Sequence, residues 1–258
     1  MIPQNIIISG ANSGIGAALA KIYSKKNNNL FLCARNLEKL ERIQKICQKN
    51  GANCFIKAID VTNSLDVKNW IFEIAQNFKI DLVIANAGIS AGTSKGIESF
   101  EQINEIFATN LNGVINLTHP ACEIMKNNKY GQIAIISSLA GFKGLPSAPA
   151  YSASKAAVRV YAEALRGNMS NYNVKVNAIC PGYIKTPMTD VNDFWMPMIM
   201  SADKCALIIK KGLEKNKSRI SFPLPFYLTI LLLSALPLKI TDFIFAKLPK
   251  KKSLLTFF

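Results

Sequence analysis

Short apolar runs alternate along the chain with longer stretches in which apolar residues recur at helical spacing. This alternation is typical of a parallel β-sheet whose strands are connected by helices. Several runs are apolar at successive positions, as strands buried on both faces should be. The pattern predicts seven strands, at Ile6–Ser9, Leu30–Ala34, Cys54–Ile59, Leu82–Ala85, Ile133–Ser137, Val174–Ile179 and Arg219–Phe222.

The stretches between the runs predict six helices. The second has Asn36 as a plausible N-cap and Gly51 just past its end, which are common helix boundaries. The fold class is therefore α/β, a doubly wound seven-stranded parallel sheet with helices on both faces. The predicted helices span Gly14–Lys26, Leu37–Lys49, Ser64–Phe78, Phe100–Asn127, Ala150–Met169 and Ala202–Lys215.

The 258 residues, of which 50% are hydrophobic, can bury a sizeable core. No Pro- or Ser-rich linker and no internal repeat divides the chain. We therefore expect one domain over residues 1–222, followed by an apolar and basic C-terminal extension over residues 223–258.

The chain is strongly basic, with 31 Lys and Arg against 16 Asp and Glu. Such an excess suits nucleic acid, an anionic membrane surface or a phosphorylated ligand. From residue 201 onward there are 11 basic and three acidic residues, so part of the excess has a local cause near the C-terminus. No basic stripe with interleaved aromatic residues is present, and we expect no nucleic-acid partner.

The cysteines show neither a CxxC pair nor metal-like spacing with the single histidine, His119. This pattern argues against a disulfide framework and against a zinc site, and no metal is expected. The start of the chain lacks the basic n-region of a signal peptide. A cytoplasmic protein with reduced cysteines is the expectation.

The first strand leads into a glycine-rich turn and then a helix. A turn that approaches a pyrophosphate closely leaves no room for side chains, and the following helix N-terminus offers free N–H groups. The spacing is Gly-x-x-x-Gly-x-Gly, which by itself also fits ordinary turn glycines. The candidate phosphate-binding residues are Gly10, Asn12, Ser13, Gly14, Ile15 and Gly16.

Arg35 follows the second strand, where an acidic residue would select NAD and an arginine accommodates the 2′-phosphate of NADP. No acid lies between Asn28 and Leu37, so the local charge favours NADPH over NADH; alternatively, Arg35 merely opens the next helix. The third and fourth strands also end in candidate ligand contacts, because open α/β sheets bind ligands at their carboxyl ends. These contacts are Asp60, Val61, Asn86, Ala87 and Gly88.

Tyr151 and Lys155 are four residues apart at the start of a predicted helix and share one face. A neighbouring ammonium should lower the pKa of the phenol, which makes the tyrosine a better acid–base group. Ser138, at the end of the fifth strand, is placed to hold a substrate carbonyl oxygen.

With these motifs the sequence resembles the classical short-chain dehydrogenases/reductases (SDRs) from Ile6 to Phe222, with their Rossmann-like fold. The resemblance rests on the glycine turn, Asp60, Asn86-Ala87-Gly88 and the Ser-Tyr-Lys set. It also includes Asn110 and the stretch Pro181, Gly182 and Thr186.

The resemblance implies a role for each matching residue. Tyr151 is the general acid–base, Lys155 lowers its pKa and holds the nicotinamide ribose, and Ser138 orients the substrate oxygen. Asn110 positions a water and Asp60 binds adenine. The stretch Pro181, Gly182 and Thr186 lies along the nicotinamide. The family also implies a homodimer or homotetramer.

Two positions depart from the family pattern. Ser9 stands where a threonine is usual, which retains the hydroxyl, and Ala85 stands where the family often has a first asparagine. Neither change removes a catalytic group.

The expected function is NADP(H)-dependent hydride transfer to or from a carbonyl or secondary alcohol of an apolar, lipid-like molecule. The alternatives are a catalytically idle NADP-binding regulator and a nucleic-acid-binding protein. The apolar substrate is suggested by Phe142, Leu145 and the Met- and aromatic-rich segment Pro187–Met200. That segment is either a lid over the substrate or a helix packed on the core.

The extension combines the apolar run Phe226–Leu238 with the basic cluster Lys250–Lys252. This combination favours peripheral contact with the inner face of a membrane, with lysines meeting anionic head groups. A buried oligomer contact and a flap over the substrate entrance are the competing interpretations.

Overall fold

The computed structural model describes residues 3–93, 96–245 and 251–253. Seven parallel strands form the main sheet in the order β3-β2-β1-β4-β5-β6-β9, which is the predicted doubly wound sheet. A separate pair, β7 and β8, has two residues in each strand. The strands are β1 Asn5–Ser9, β2 Asn29–Ala34, β3 Asn53–Ala58, β4 Leu82–Ala85, β5 Gly131–Ile136, β6 Val174–Pro181, β7 Ile184–Lys185, β8 Met200–Ser201 and β9 Arg219–Phe222.

Helices cover both faces of the sheet, as predicted. One core cluster joins α1, α2 and α8 to one face, and a second joins α3, α5 and α6 to the other face. Trp70 of α3 is 5% exposed in the second cluster. The helices are α1 Gly14–Tyr23, α2 Leu37–Lys49, α3 Ser64–Asn77, α4 Phe100–Phe107, α5 Gly113–Asn128, α6 Pro149–Ser170, α7 Pro187–Asp190, α8 Ala202–Glu214, α9 Leu224–Ala235 and α10 Leu238–Phe245.

The helix predicted over Phe100–Asn127 is instead two helices joined by a π turn, Ala108–Asn112. Apolar periodicity cannot detect one wider turn, because the residues on either side remain helical. Such turns occur mostly at functional sites, and this one contains Asn110.

The predicted N-cap of α2 is confirmed. The side chain of Asn36 caps α2 by accepting a hydrogen bond from the Lys39 N–H at 2.8 Å. All six cysteines are buried and none forms a disulfide. They behave as small apolar side chains, and burial raises the pKa of the Cys180 thiol to about 11.

The main sheet ends with β9 at Phe222, and α9 and α10 follow it. No side chain of α9 is buried. Within the described ranges, no helix has both the length and the apolarity needed to cross a membrane. The division at residue 222 into a domain and an extension stays a prediction.

Candidate active site

A cavity of about 320 Å³ lies at the carboxyl ends of the strands. It runs from the end of β2 to the start of α6 and joins residues that are far apart in the sequence. The predicted residues that line it are Gly10, Asn12, Ser13, Gly14, Ile15, Arg35, Asp60, Val61, Asn86, Ala87, Gly88, Ser138, Tyr151, Lys155, Pro181, Gly182 and Thr186.

The glycine turn forms the floor of the cavity. Gly10 has a φ of +64°, and a Cβ on it would lie 2.8 Å from the Cα of Ala87. Gly16 does not line the cavity; it lies behind it, where a Cβ would be 2.3 Å from the carbonyl oxygen of Gly10. The missing side chains therefore let Gly10 pack against the end of β4 and let Gly16 pack against Gly10, with Gly10 at the cavity surface.

Hydrogen bonds tie this turn to the end of β4. The Ser9 hydroxyl accepts hydrogen bonds from the N–H groups of Asn86 at 3.0 Å and Ala87 at 3.1 Å. The Asn86 amide donates to the carbonyl oxygens of Ser9 at 3.0 Å and Gly10 at 3.1 Å. The Ser9 hydroxyl thus holds Asn86 and Ala87, which follow β4, against the end of β1.

Arg35 lies exposed at one end of the cavity, next to Asn36. No described carboxylate lies within ion-pair distance of its guanidinium. Asp60 lines the wall nearby and accepts hydrogen bonds from the N–H of Thr62 at 2.9 Å and its hydroxyl at 2.8 Å. This end is therefore suited to a negatively charged group.

Ser138, Tyr151 and Lys155 lie at the other end. The buried Lys155 ammonium donates to the Ile136 carbonyl oxygen at 3.0 Å and lies 5.8 Å from the centroid of the Tyr151 ring. The Ser137 hydroxyl donates to the Lys155 carbonyl oxygen at 2.6 Å, which fixes the start of α6 on the end of β5.

The acidities of the pair differ from the sequence-based expectation. Burial raises the pKa of Tyr151, and a hydrogen bond with Ser138 opposes the rise. Burial lowers the pKa of Lys155 to about 8. The expected lowering of the phenol pKa by Lys155 is not among the main causes, because desolvation dominates. The Tyr151 hydroxyl therefore keeps its proton at neutral pH.

Asn110 does not line the cavity. Its amide oxygen accepts from the Ile89 N–H at 2.8 Å, and its amide donates to the Ile89 carbonyl at 2.9 Å and the Ser154 hydroxyl at 3.0 Å. A Cβ on Gly88 would lie 3.1 Å from the Asn110 oxygen and 3.3 Å from the Lys155 ammonium. Asn110 and Lys155 therefore approach each other behind Gly88.

The stretch after β6 closes the cavity from above. Thr186 and Thr189 form a capping box at the start of α7. A Cβ on Gly14 would lie 3.0 Å from the Thr186 methyl group, so this stretch touches the glycine turn.

The segment Pro187–Met200 is not a helix packed on the core. Only the short α7 is helical, and Met188 lines the cavity. Beyond it, Trp195 is 84% exposed and Met198 is 51% exposed. The segment therefore borders the site, as the lid interpretation requires.

Aromatic side chains of α9 join this region. Phe226 stacks on Tyr183 at 6.0 Å between ring centroids, and Phe194 meets the same ring edge-on at 6.4 Å. Tyr227 contacts Phe142 at 5.2 Å. The extension thus packs on two loops of the site through its first helical turn.

Several residues at the site escaped sequence analysis. Ser137 and Thr109 line the cavity, and only the position of Ser137 beside Ser138 at a strand end could have indicated it. Tyr183 and Ser90 carry no local signal, and the basic cluster that includes Lys251 did not indicate the contacts of Lys251 with Ser90 and Tyr151. His119 is exposed on α5 and lies 3.6 Å from Glu123.

A family model for the short chain dehydrogenases matches residues 4–196. The chain belongs to the short-chain dehydrogenase family. It is therefore an oxidoreductase, and the resemblance stated from its motifs is confirmed. Members of this family act on small-molecule substrates with a nicotinamide cofactor.

Individual relatives are similar over most of their length. An uncharacterized oxidoreductase of Myxococcus xanthus is 31% identical over 221 residues, covering 85% of this chain and 87% of the relative. A 3-ketodihydrosphingosine reductase of Bacteroides thetaiotaomicron is 32% identical over 191 residues, covering 74% and 67%. The structure of ElxO with NADP bound matches with a TM-score of 0.74 at 25% identity, covering 85% and 97%.

Proposed function

We propose that the protein transfers hydride between NADP(H) and a carbonyl or secondary alcohol of an apolar, lipid-like molecule. The observation that carries the proposal is the single cavity that joins Arg35 to Ser138, Tyr151 and Lys155. It offers a phosphate-binding end and a proton-donating end on one continuous surface.

The residues of the cavity fit a nicotinamide dinucleotide. Gly10 and Gly14 line the cavity without side chains, no described carboxylate forms an ion pair with Arg35, and Pro181 and Gly182 also line the cavity. When bound, the cofactor supplies or accepts the hydride. ElxO, which binds NADP, supports this choice of cofactor.

The protein's own contribution is to bind the substrate oxygen and move a proton. In reduction, the Ser138 and Tyr151 hydroxyls hold the carbonyl oxygen, and Tyr151 donates its proton to the developing alkoxide. Lys155 lies beside the phenol and offsets the negative charge that this leaves. In oxidation, Tyr151 accepts the proton of the alcohol.

An apolar substrate is supported by Ile184 and Met188, whose apolar side chains line the cavity. The Bacteroides relative is by its name a reductase of a long-chain ketone, which agrees in class.

The proposal is tested by NADPH consumption with a panel of long-chain ketones and aldehydes. Tyr151→Phe retains the ring and loses the transferable proton, so turnover should fall by at least ~100-fold while NADPH binding is retained. No turnover with any carbonyl, despite NADPH binding, would favour the idle regulator. Near-normal turnover by Tyr151→Phe would refute the proton-transfer step.

We also propose that α9 and α10 contact a membrane surface. Leu228, Leu232, Leu238 and Phe243 are between 54% and 70% exposed, which is unusual for large apolar side chains. The 11 basic and three acidic residues from position 201 onward add attraction to anionic lipid.

The basic cluster does not contribute as the sequence suggested. Lys251 is directed at the active-site loops and Lys252 at Asp193. Lys250 lies outside the described residues. The apolar faces of α9 and α10 are therefore the main support for membrane contact.

A further inference from the structure

The C-terminal strap, Lys251–Ser253, lies across loops of the active site. The N–H of Gly92 donates to the carbonyl oxygen of Lys252 at 2.7 Å. A Cβ on Gly92 would lie 2.3 Å from the Ser147 carbonyl oxygen and 2.4 Å from the Cβ of Lys251. The strap thus fits between the loop after β4 and the loop before α6.

The strap also reaches the Pro187–Met200 segment. The Lys252 ammonium lies 3.6 Å from the carboxylate of Asp193. The strap therefore contacts three segments, which are the loop after β4, the loop before α6 and Pro187–Met200.

Lys251 places a second ammonium beside the catalytic tyrosine. Its Nζ donates to the Ser90 hydroxyl at 2.6 Å and lies 5.4 Å from the centroid of the Tyr151 ring. Among the described residues, no carboxylate lies within 4.0 Å of this nitrogen. Burial lowers the pKa of Lys251 to about 8.

A partly buried cation with a hydroxyl and an aromatic ring as partners is incompletely compensated, because neither partner carries a negative charge. An anion that arrives with the substrate would provide that charge. Lys155 is less suited to this role, since it donates to the Ile136 carbonyl and lines the cofactor cavity.

We propose that Lys251 binds a carboxylate of the substrate and so selects apolar keto or hydroxy acids. This inference rests on the proposed hydride transfer at Tyr151. One ammonium and one hydroxyl match a monoanion better than a doubly charged phosphate. Because Lys251 Nζ lies 5.4 Å from the centroid of the Tyr151 ring, a carboxylate bound to it would lie beside the proposed proton donor.

A carboxylate preference would distinguish the substrate of this chain from that of its Bacteroides relative. A long-chain amino ketone would bring its own positive charge towards Lys251, which is unfavourable. A keto acid of the same chain length would be attracted instead.

The test compares 3-, 4- and 5-oxodecanoate with their methyl esters in NADPH-dependent turnover. The acids should be preferred by kcat/KM, and the best of them reports the spacing between carboxylate and carbonyl. Lys251→Met should lower kcat/KM for the best acid by about 10- to 100-fold and leave its ester nearly unchanged, as expected for a hydrogen bond to a charged group. Lys251→Arg should restore most of the preference.

Lys211→Met is the matched control, because it removes the same charge from the exposed face of α8. Lys211→Met should leave kcat/KM unchanged for both the acid and the ester. Equal loss of acid and ester in Lys251→Met would assign Lys251 a structural or electrostatic role and overturn the proposal. A rise in kcat/KM of Lys251→Met with both acid and ester would also overturn the proposal, because it would mean that Lys251 obstructs the site.

Calorimetric titration of the NADP⁺-bound protein with the same acids measures binding without turnover. Acid binding that is lost in Lys251→Met supports the proposal even if no carbonyl is reduced, in which case only the proposed function fails. Equal binding of acid and ester by the unaltered protein would overturn the proposal.

Discussion

At the scale of single residues, burial shifts the pKa values of Tyr151 and Lys155 in opposite directions. Desolvation makes Tyr151 a weaker acid and Lys155 a weaker base than in water. Each shift favours the neutral form, so the proton needed for reduction stays on the phenol. The proposed proton transfer needs the charge of Lys155, whereas burial on folding disfavours that charge.

Lys155→Met should stabilise the cofactor-free protein while it abolishes turnover. The pKa of Lys155 falls from 10.5 to about 8 on folding, so its charged form destabilises the folded state at pH 7. The gain should be up to about 3 kcal/mol, reduced by the lost hydrogen bond to Ile136. Urea unfolding of both proteins at pH 7 measures it.

The lowered pKa of Lys155 also makes the free energy of unfolding depend on pH. Between pH 8 and 10.5 the unfolded chain holds the Lys155 proton and the folded chain does not, so the wild type gains stability as pH rises. The advantage of Lys155→Met should shrink between pH 7 and pH 9.5. An advantage that grows over this interval would contradict the assigned shift.

We also expect a single residue, Arg35, to decide between NADPH and NADH. Arg35 lies exposed at the cavity with no described acid paired to it, so NADPH should bind better than NADH. Arg35→Asp should reverse this order, because the carboxylate repels the 2′-phosphate and accepts a hydrogen bond from a 2′-hydroxyl. Calorimetric titration with both cofactors checks it, and equal affinities in the unaltered protein would refute the assignment.

At the scale of elements, the strands and most helices could be predicted because their burial pattern is local. All seven strands of the main sheet were found, since runs such as Leu82–Ala85 are buried throughout. The π turn at Ala108–Asn112 was missed, because it changes hydrogen bonding without changing apolarity. The strap contacts were missed because Lys251 and Ser90 meet only in the folded chain.

The first turn of α1 should tolerate no side chain at Gly16. A Cβ there would lie 2.3 Å from the Gly10 carbonyl oxygen and 2.6 Å from the Asn86 amide nitrogen, so the glycine turn, which we expect to bind phosphate, must move. Gly16→Ala should weaken NADPH binding by about tenfold or more.

Gly167→Ala in α6 provides the contrast, because a Cβ there meets nothing within 4 Å. That variant should bind NADPH normally and gain about 0.5–1 kcal/mol in the free energy of unfolding. Unchanged NADPH affinity in Gly16→Ala would show that the turn is not the phosphate site.

At the scale of the whole molecule, the C-terminal extension links the surface to the site. In the first turn of α9, Phe226 stacks on Tyr183. Further along the same helix, Leu228 and Leu232 are exposed. A surface that binds the exposed face would therefore lie close to the substrate entrance. This arrangement suits a substrate that is itself dissolved in lipid.

The intact protein should float with anionic vesicles. Replacing Leu228, Leu232 and Phe243 by Gln should abolish most of this binding, because each side chain loses part of its apolar transfer free energy. High salt should weaken the binding without abolishing it, since screening acts only on the charges. The similarly exposed Leu65→Gln on α3 is the control.

The vesicle flotation experiment also tests the competing interpretation, in which the exposed apolar face is an oligomer contact. An intact protein that stays in the soluble fraction, combined with a triple variant that changes from dimer to monomer, would identify the apolar face as an oligomer contact. NADPH binding should be unchanged in every variant, which separates surface effects from misfolding.

The two tryptophans lie in opposite environments, and this gives the protein a built-in optical reference. Trp70 is 5% exposed in the core, whereas Trp195 is 84% exposed on the segment bordering the site. A soluble quencher such as acrylamide will reach the indole of Trp195 and leave that of Trp70 emitting at shorter wavelength. The quenchable fraction of the emission thus follows the Pro187–Met200 segment, and the protected fraction follows the integrity of the fold, without any attached dye.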